Sequence, residues 1–332
     1  MRTTQVIDAH THYLPPSLIN ALRDRREIPR LITRGTREFV EYGPGPGSAY
    51  PLDPDVTDID LKIQLMDEWG IDLSILSVNI PGVDWAEPGE APDLARAVNS
   101  ELMAVVKRHP GRFAALSVLP LQMPETAAQM LSENVAAGMK GAMIYSNVAG
   151  GHLDHPALHP FFAAAADLDV PVLIHPAYPL SASTFAVHAM IPVVAFLFDT
   201  TTAALRLIFD GLYERHPNFK LILSHAGSVI PYIVGRIDYA SALFPNGAGE
   251  LTVAPSVAIK NMYVDTVCAW PLGLQLAIDY LGPQHILFGT DHPYWQPNAG
   301  FEALDAVSPS PELRTAILRS NSDRIFKLDG PS

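Results

Sequence analysis

The sequence predicts an α/β fold, a (β/α)8 TIM barrel of eight parallel strands alternating with outer helices. Three observations predict it. Eight short apolar or β-branched runs recur along 332 residues, segments with helical spacing separate them, and proline and glycine punctuate those segments as they do helices. The runs occupy residues 6–10, 73–79, 113–119, 141–145, 170–175, 220–225, 262–266 and 286–290. The helical segments occupy 59–69, 93–107, 125–137, 160–168, 202–213 and 272–280. Composition does not break along the chain, so residues 1–332 read as one domain.

Taken in order, the first run leads into Asp8-Ala-His-Thr-His12. Side chains two apart on a strand point the same way, so His10 and His12 can converge on one metal ion. The connection that follows, residues 13–57, is long for a βα link and is expected to form a lid or an oligomer contact. Within it, Gly43-Pro-Gly-Pro-Gly47 lacks the strand-to-helix setting and the following Lys-Ser/Thr of a phosphate loop, and reads as a structureless turn. Pro124 and Pro156 stand near helix starts, whereas Gly70, Gly138 and Gly282 follow helix ends. The fifth run ends at His175, and residues 177–201 form a second long connection with the same expected role. Its apolar stretch 186–198, interrupted by His188 and Pro192, falls short of the roughly 20 residues of a membrane span and reads as a buried or interface helix. The sixth run ends at His225, and Asp291 directly follows the eighth.

Charge and cysteine content narrow the function. A net charge of −13, with Arg23–Arg26 the one short basic cluster, disfavours nucleic acid and anionic membranes as partners. A single cysteine, Cys268, excludes an intrachain disulfide and a cysteine zinc finger. A cytoplasmic protein without an export signal is expected.

A parallel barrel draws its active-site groups from the C-terminal ends of its strands. His10, His12, His175, His225 and Asp291 all occupy such ends. Three His and one Asp suit a borderline divalent cation such as zinc or manganese and leave a position open for water or substrate. The remaining histidines, such as His109, His216 and His285 near helix ends and the loop trio His152, His155 and His159, read as surface or capping residues. Tyr178, Phe185, Trp270, Tyr294 and Trp295 fall in loops after strands five, seven and eight, where flat rings either sandwich a planar substrate or seal a dimer interface.

Ile7-Asp-Ala-His-Thr-His12, His175-Pro176, Leu223-Ser-His-Ala-Gly227 with Gly235-Arg236-Ile237, and Leu287-Phe-Gly-Thr-Asp-His-Pro293 together resemble the amidohydrolase superfamily. Within it they resemble the branch typified by aminocarboxymuconate semialdehyde decarboxylase and γ-resorcylate decarboxylase. The resemblance implies one divalent metal per subunit, zinc or manganese, held by His10, His12, His175 and Asp291. It implies that His225 is the catalytic histidine, that subunits pair as a homodimer or homotetramer, and that Arg236 reaches a neighbour's site to hold a substrate carboxylate. The chain departs from the branch at His292 after the metal-binding Asp and at Ala177-Tyr178 after His-Pro; Arg37 is the nearest match to a substrate-binding Arg in the first insertion.

These features point to a metal-dependent, non-oxidative decarboxylase of a small aromatic or unsaturated carboxylic acid. Asp291 and His225 would handle the proton, while Arg236, Tyr178, Tyr294, Trp295, His292 and Arg37 would bind substrate. The alternative is a metal-dependent hydrolase or hydratase of an amide, lactone or C–C bond, which uses the same parts to activate water. A non-catalytic binding protein would not need His225 beside an open metal position.

Overall fold

A computed structural model of the chain describes residues 5–244, 246–307 and 310–328. Its strands are β1 (Ile7–His12), β2 (Arg30–Arg34), β3 (Arg37–Glu41), β4 (Ala49–Pro51), β5 (Leu73–Ser77), β6 (Phe113–Ala115), β7 (Ala142–Tyr145), β8 (Val172–His175), β9 (Leu221–Leu223), β10 (Tyr263–Asp265) and β11 (Ile286–Leu287). All eight runs read as strands are strands. They form two parallel arcs, β1-β5-β6 and β7-β8-β9-β10-β11. Hydrogen bonds close the arcs into a barrel. On one seam Ser117 N donates to Gly141 O (2.8 Å), and on the other Ala9 N donates to Phe288 O (2.8 Å) and His12 N to His292 O (2.9 Å). Helices cover the outer faces, which is why β5 and β9 are apolar on both sides, with Ile75, Leu76, Leu221 and Leu223 fully buried.

The helix Ile59–Trp69 shows how the local signals work. Asp58 accepts from the backbone N–H groups of Asp60 and Leu61 at its start, and Gly70, at φ +69°, supplies the left-handed turn that stops it. The helices Ala91–Arg108, Pro124–Ala136, His159–Asp167 and Pro271–Leu281 lie within two residues of their sequence readings. The segment 202–213 differs. Its helix runs from a π turn at Ile191–Ala195 through Phe196–Phe209, and Gly211 separates it from the short helix Leu212–Arg215. Pro192 sits in the first turn, where a missing N–H costs nothing, and so does not interrupt the helix. By length and composition the 19 residues Ile191–Phe209 could cross a membrane, but half of the stretch is buried within the protein.

Between β1 and β5 lie the helix Pro16–Arg23 and an antiparallel sheet in the order β2-β3-β4, its first hairpin turning at Gly35 (φ +64°). Gly43-Pro-Gly-Pro-Gly47 is packed rather than free. A Cβ at Gly43 would fall 1.9 Å from the Tyr178 ring, and one at Gly47 would fall 3.0 Å from Ala189 Cα. Its glycines therefore let the chain after β3 approach the chain after β8.

Candidate metal centre

β1 is irregular where it matters. Its pairing with β5 slips by one residue between Asp8 and Thr11, a bulge of the kind that re-aims side chains beside a site. Asp8 fastens the bulge, accepting from His10 N (3.1 Å), Thr290 N (3.0 Å) and Thr290 Oγ1 (2.7 Å). The result is that His10 Nε2 and His12 Nε2 stand 3.2 Å apart. Across the seam, Asp291 holds a left-handed backbone (φ +56°), which brings its Oδ1 2.9 Å from His12 Nε2 and 3.4 Å from His10 Nε2. His175, at the end of β8, completes a buried group in which the ligand atoms of His10, His12, His175 and Asp291 all lie within 4.8 Å of one another.

The far side of each imidazole fixes its tautomer. His10 Nδ1 donates to Asp265 Oδ2 (2.7 Å) and His175 Nδ1 to Pro176 O (3.1 Å). Ser77 Oγ spends its proton on Thr11 O (2.9 Å), so it accepts from His12 Nδ1 (3.2 Å). Three Nε2 lone pairs thus face one another and a carboxylate, an arrangement that only a positive charge satisfies. The 2.9–3.4 Å spacings among His10, His12 and Asp291 fit a metal, since ligands about 2.05 Å from an ion stand roughly 2.9 Å apart in an octahedron and 3.4 Å in a tetrahedron.

The electrostatics agree. Burial lowers the basicity of His10, but Asp291 and then Asp265 outweigh it and lift its pKa to about 9. Burial pushes His12 down to about 4 and, with help from the other imidazoles, holds His175 well below its ordinary value. Asp291, despite its burial, is kept well below the carboxylate range by His10, His12 and His225. The group therefore favours one positive charge at its centre, and a divalent cation would displace the proton.

His225 lies at the rim. Ser224–Gly227 is a kinked turn with His225 and Ala226 at φ +57° and +52°, backbone values that cost energy unless the surroundings impose them. Asp265 imposes them. Its carboxylate accepts from His225 N (3.1 Å), Ala226 N (2.9 Å) and Val267 N (3.0 Å) as well as from His10. His225 Nε2 then faces Asp291 Oδ2 at 3.4 Å, while its Nδ1 is buried without a partner among the described residues. Asp265 escaped the sequence reading although it stands at the end of the seventh run, in the position that singled out the other five.

The remaining sequence candidates scatter. Tyr294 is partly buried, with its ring 5.7 Å from that of His12 and 5.1 Å from that of Tyr50 of β4. Tyr178 lies between the two long connections, its Oη donating to Pro44 O (2.9 Å). Trp270 and Trp295 are exposed, and Phe185 stacks on Phe198. His292 turns toward the outer helix, with Nδ1 3.0 Å from Lys62 Nζ and its ring against Trp69. Arg37 is exposed on β3 and pairs with Asp53. Arg236 is exposed on the helix Ile230–Ser241 and has no ion pair among the described residues.

Comparison with known proteins bears on the same architecture. A γ-resorcylate decarboxylase of Rhodococcus jostii (strain RHA1) is 34% identical over 295 residues, covering 81% of this chain and 88% of that protein. The crystal structure of Metarhizium anisopliae IDCase in apo form superposes with a TM-score of 0.91 at 26% identity, covering 99% of this chain and 98% of the other. A dihydroxybenzoic acid decarboxylase from Polaromonas sp. JS666, solved with manganese and the inhibitor 2-nitroresorcinol, gives a TM-score of 0.83 at 27% identity over 99% and 98% of the two chains. The amidohydrolase family profile matches residues 7–328, from the first barrel strand past the last, and this chain belongs to that family.

Proposed function

We propose that this protein is a metal-dependent, non-oxidative decarboxylase of a small aromatic carboxylic acid, working as one domain with one manganese or zinc ion per subunit. The observation that carries the reading is the buried group of three Nε2 lone pairs and one carboxylate, with His225 at its rim. The decarboxylase relatives, one of them solved with manganese, set the reaction class. In this reading His10, His12, His175 and Asp291 hold the metal, which when bound supplies Lewis-acid stabilisation and orients the substrate's carboxylate and adjacent hydroxyl.

The protein's own groups handle the proton. As the bond between ring carbon and carboxylate breaks, its electron pair stays on the ring carbon, which must receive a proton while carbon dioxide leaves. Asp291 and His225 form the pair that delivers it: Asp291 Oδ2 faces the rim and His225 Nε2, and the buried His225 Nδ1 has no partner among the described residues. Tyr294 gives the ring a flat, apolar wall beside His12.

The reading includes a homodimer or homotetramer in which Arg236 serves a neighbouring site. Tyr232 and Tyr239 flank Arg236 on its helix and Leu243 follows just past the helix end; they are 84%, 73% and 61% exposed, an apolar patch suited to a second subunit. Cytoplasmic residence fits the lone cysteine.

Elemental analysis together with carbon dioxide release from a panel of hydroxybenzoates tests the proposal. About one manganese or zinc per chain with gas evolved is expected. Metal without gas would move the assignment to hydrolysis, and absence of metal after growth in supplemented medium would overturn it.

A further inference from the structure

The helix Ile59–Trp69 buries Ile59, Lys62 and Met66, the spacing of a core-facing stripe. Lys62 is only 2% exposed, at a position where leucine or methionine would satisfy packing. No carboxylate contacts it among the described residues, so its burial is not that of an ion pair. A buried ammonium carries a desolvation penalty, and what distinguishes this one is where its protons go.

Lys62 Nζ donates to Thr11 Oγ1 (3.2 Å) and to His292 Nδ1 (3.0 Å). Thr11 lies between His10 and His12, and His292 follows Asp291. One ammonium thus holds the neighbours of three of the four metal-binding residues. The same two residues form the strand seam: Thr11 Oγ1 donates to His292 O (3.2 Å), and His12 N donates to that oxygen as well (2.9 Å). Here the regular pairing of β11 has ended and the chain turns through the left-handed Asp291. An unanchored chain leaves that conformation readily, and the Asp291 carboxylate would leave with it.

We infer that Lys62 is a positioning residue for the metal centre, fixing Asp291 against His10 and His12 by clamping His292 and Thr11 from behind. The inference rests on the metal reading above. It does not rest on charge, because an ammonium near a cation opposes binding; the clamp must outweigh that repulsion.

The test is Mn²⁺ affinity, read by electron paramagnetic resonance titration on the full-length protein, for Lys62→Met, His292→Leu and His292→Asn. Lys62→Met removes the donor and His292→Leu the acceptor, and each is expected to weaken Mn²⁺ about 10–100-fold, the usual cost of losing a partner that orients a ligand. His292→Asn keeps an acceptor oxygen near the Nδ1 position and is expected to stay within about 3-fold of wild type, a rescue that a packing role would not produce. Affinity in Lys62→Met equal to or tighter than wild type would overturn the inference and leave only the repelling charge. Equal losses in His292→Asn and His292→Leu would overturn it in favour of ring packing on Trp69. Should Lys62→Met fail to fold, the two His292 variants still decide. Wild-type protein that binds no Mn²⁺ would take down the metal reading and this inference together, whereas unchanged variants of a metal-binding wild type would sink the inference alone.

Discussion

Asp265→Asn is the most informative single change, because one carboxylate orients both a metal-binding imidazole and the turn that carries His225. Four donors converge on it. His10 Nδ1 and His225 N meet Oδ2, and Ala226 N and Val267 N meet Oδ1. An amide of the same shape keeps only one oxygen, so in either orientation two buried donors face an NH2 group. At about 1–3 kcal/mol for each donor left unsatisfied, one if the His10 imidazole moves its proton and two otherwise, the fold should lose roughly 1–6 kcal/mol. The metal should suffer separately. With the NH2 turned to His10, the imidazole is driven to carry its proton on Nε2, the atom that faces the metal. With the oxygen turned to His10, the strained turn at Ala226 loses its anchor instead.

Mn²⁺ affinity should fall about 10–100-fold, equivalent to about 1.4–2.7 kcal/mol. Urea unfolding of the metal-free protein measures the first quantity and Mn²⁺ titration the second, so the two effects are read independently. A variant that is less stable but binds Mn²⁺ as tightly as wild type would refute the claim that Asp265 sets the tautomer of His10, leaving it a fold-holding residue only.

Other expectations follow from the same geometry. His175→Ala should lose metal and turnover together, whereas His225→Ala should keep its metal and lose about 10²–10⁴-fold in kcat; metal loss in both would show that His225 is misassigned. Burial raises the carboxyl of Asp84 from 3.8 to about 7, so the folded state holds its proton more tightly than the unfolded state. Stability from this group is complete below about pH 4 and declines by about 1.4 kcal/mol per unit up to about pH 7. Asp84→Asn should therefore melt progressively above wild type as pH rises from 5 to 7, and a constant Tm difference would contradict the burial argument. A methyl group on Gly43 would strike the Tyr178 ring, so Gly43→Ala should cost about 1–3 kcal/mol, relieved by adding Tyr178→Ala. Additive effects in that double-mutant cycle would show that the two segments do not press on each other.

Much of this was legible in the sequence, and what was not follows a pattern. The barrel could be read because β-branched runs and helical stripes carry different periods, and because Gly70 and Gly282 mark helix ends wherever they occur. The β2-β3 hairpin escaped, although Arg30-Leu-Ile-Thr-Arg34 and Arg37-Glu-Phe-Val-Glu41 flank a positive-φ glycine. Its strands are charged and only partly buried, so their alternation is faint beside the buried barrel strands. The helix Ile230–Ser241 was missed because few of its residues are buried; Tyr232 and Tyr239 face outward and blur the stripe that would have declared it.

At the site the division is sharper and has a chemical cause. With a single cysteine in the chain, side chains that hold a zinc or manganese ion are mainly imidazole or carboxylate, so a barrel strand ending in His or Asp announces itself. The groups that orient those ligands need only accept a hydrogen bond, and three kinds of acceptor serve three imidazoles here: a carboxylate for His10, a hydroxyl for His12 and a backbone carbonyl for His175. The last leaves no trace in residue identity, and the hydroxyl of Ser77 is one serine among many until Thr11 O is seen to take its proton. Lys62 is hidden for the opposite reason. A lysine in a helix reads by its residue type as a solvated position, and only the packed helix shows its ammonium turned inward against Thr11 and His292. A sequence can therefore name the atoms that touch the metal well before it can name those that decide how tightly the metal is held.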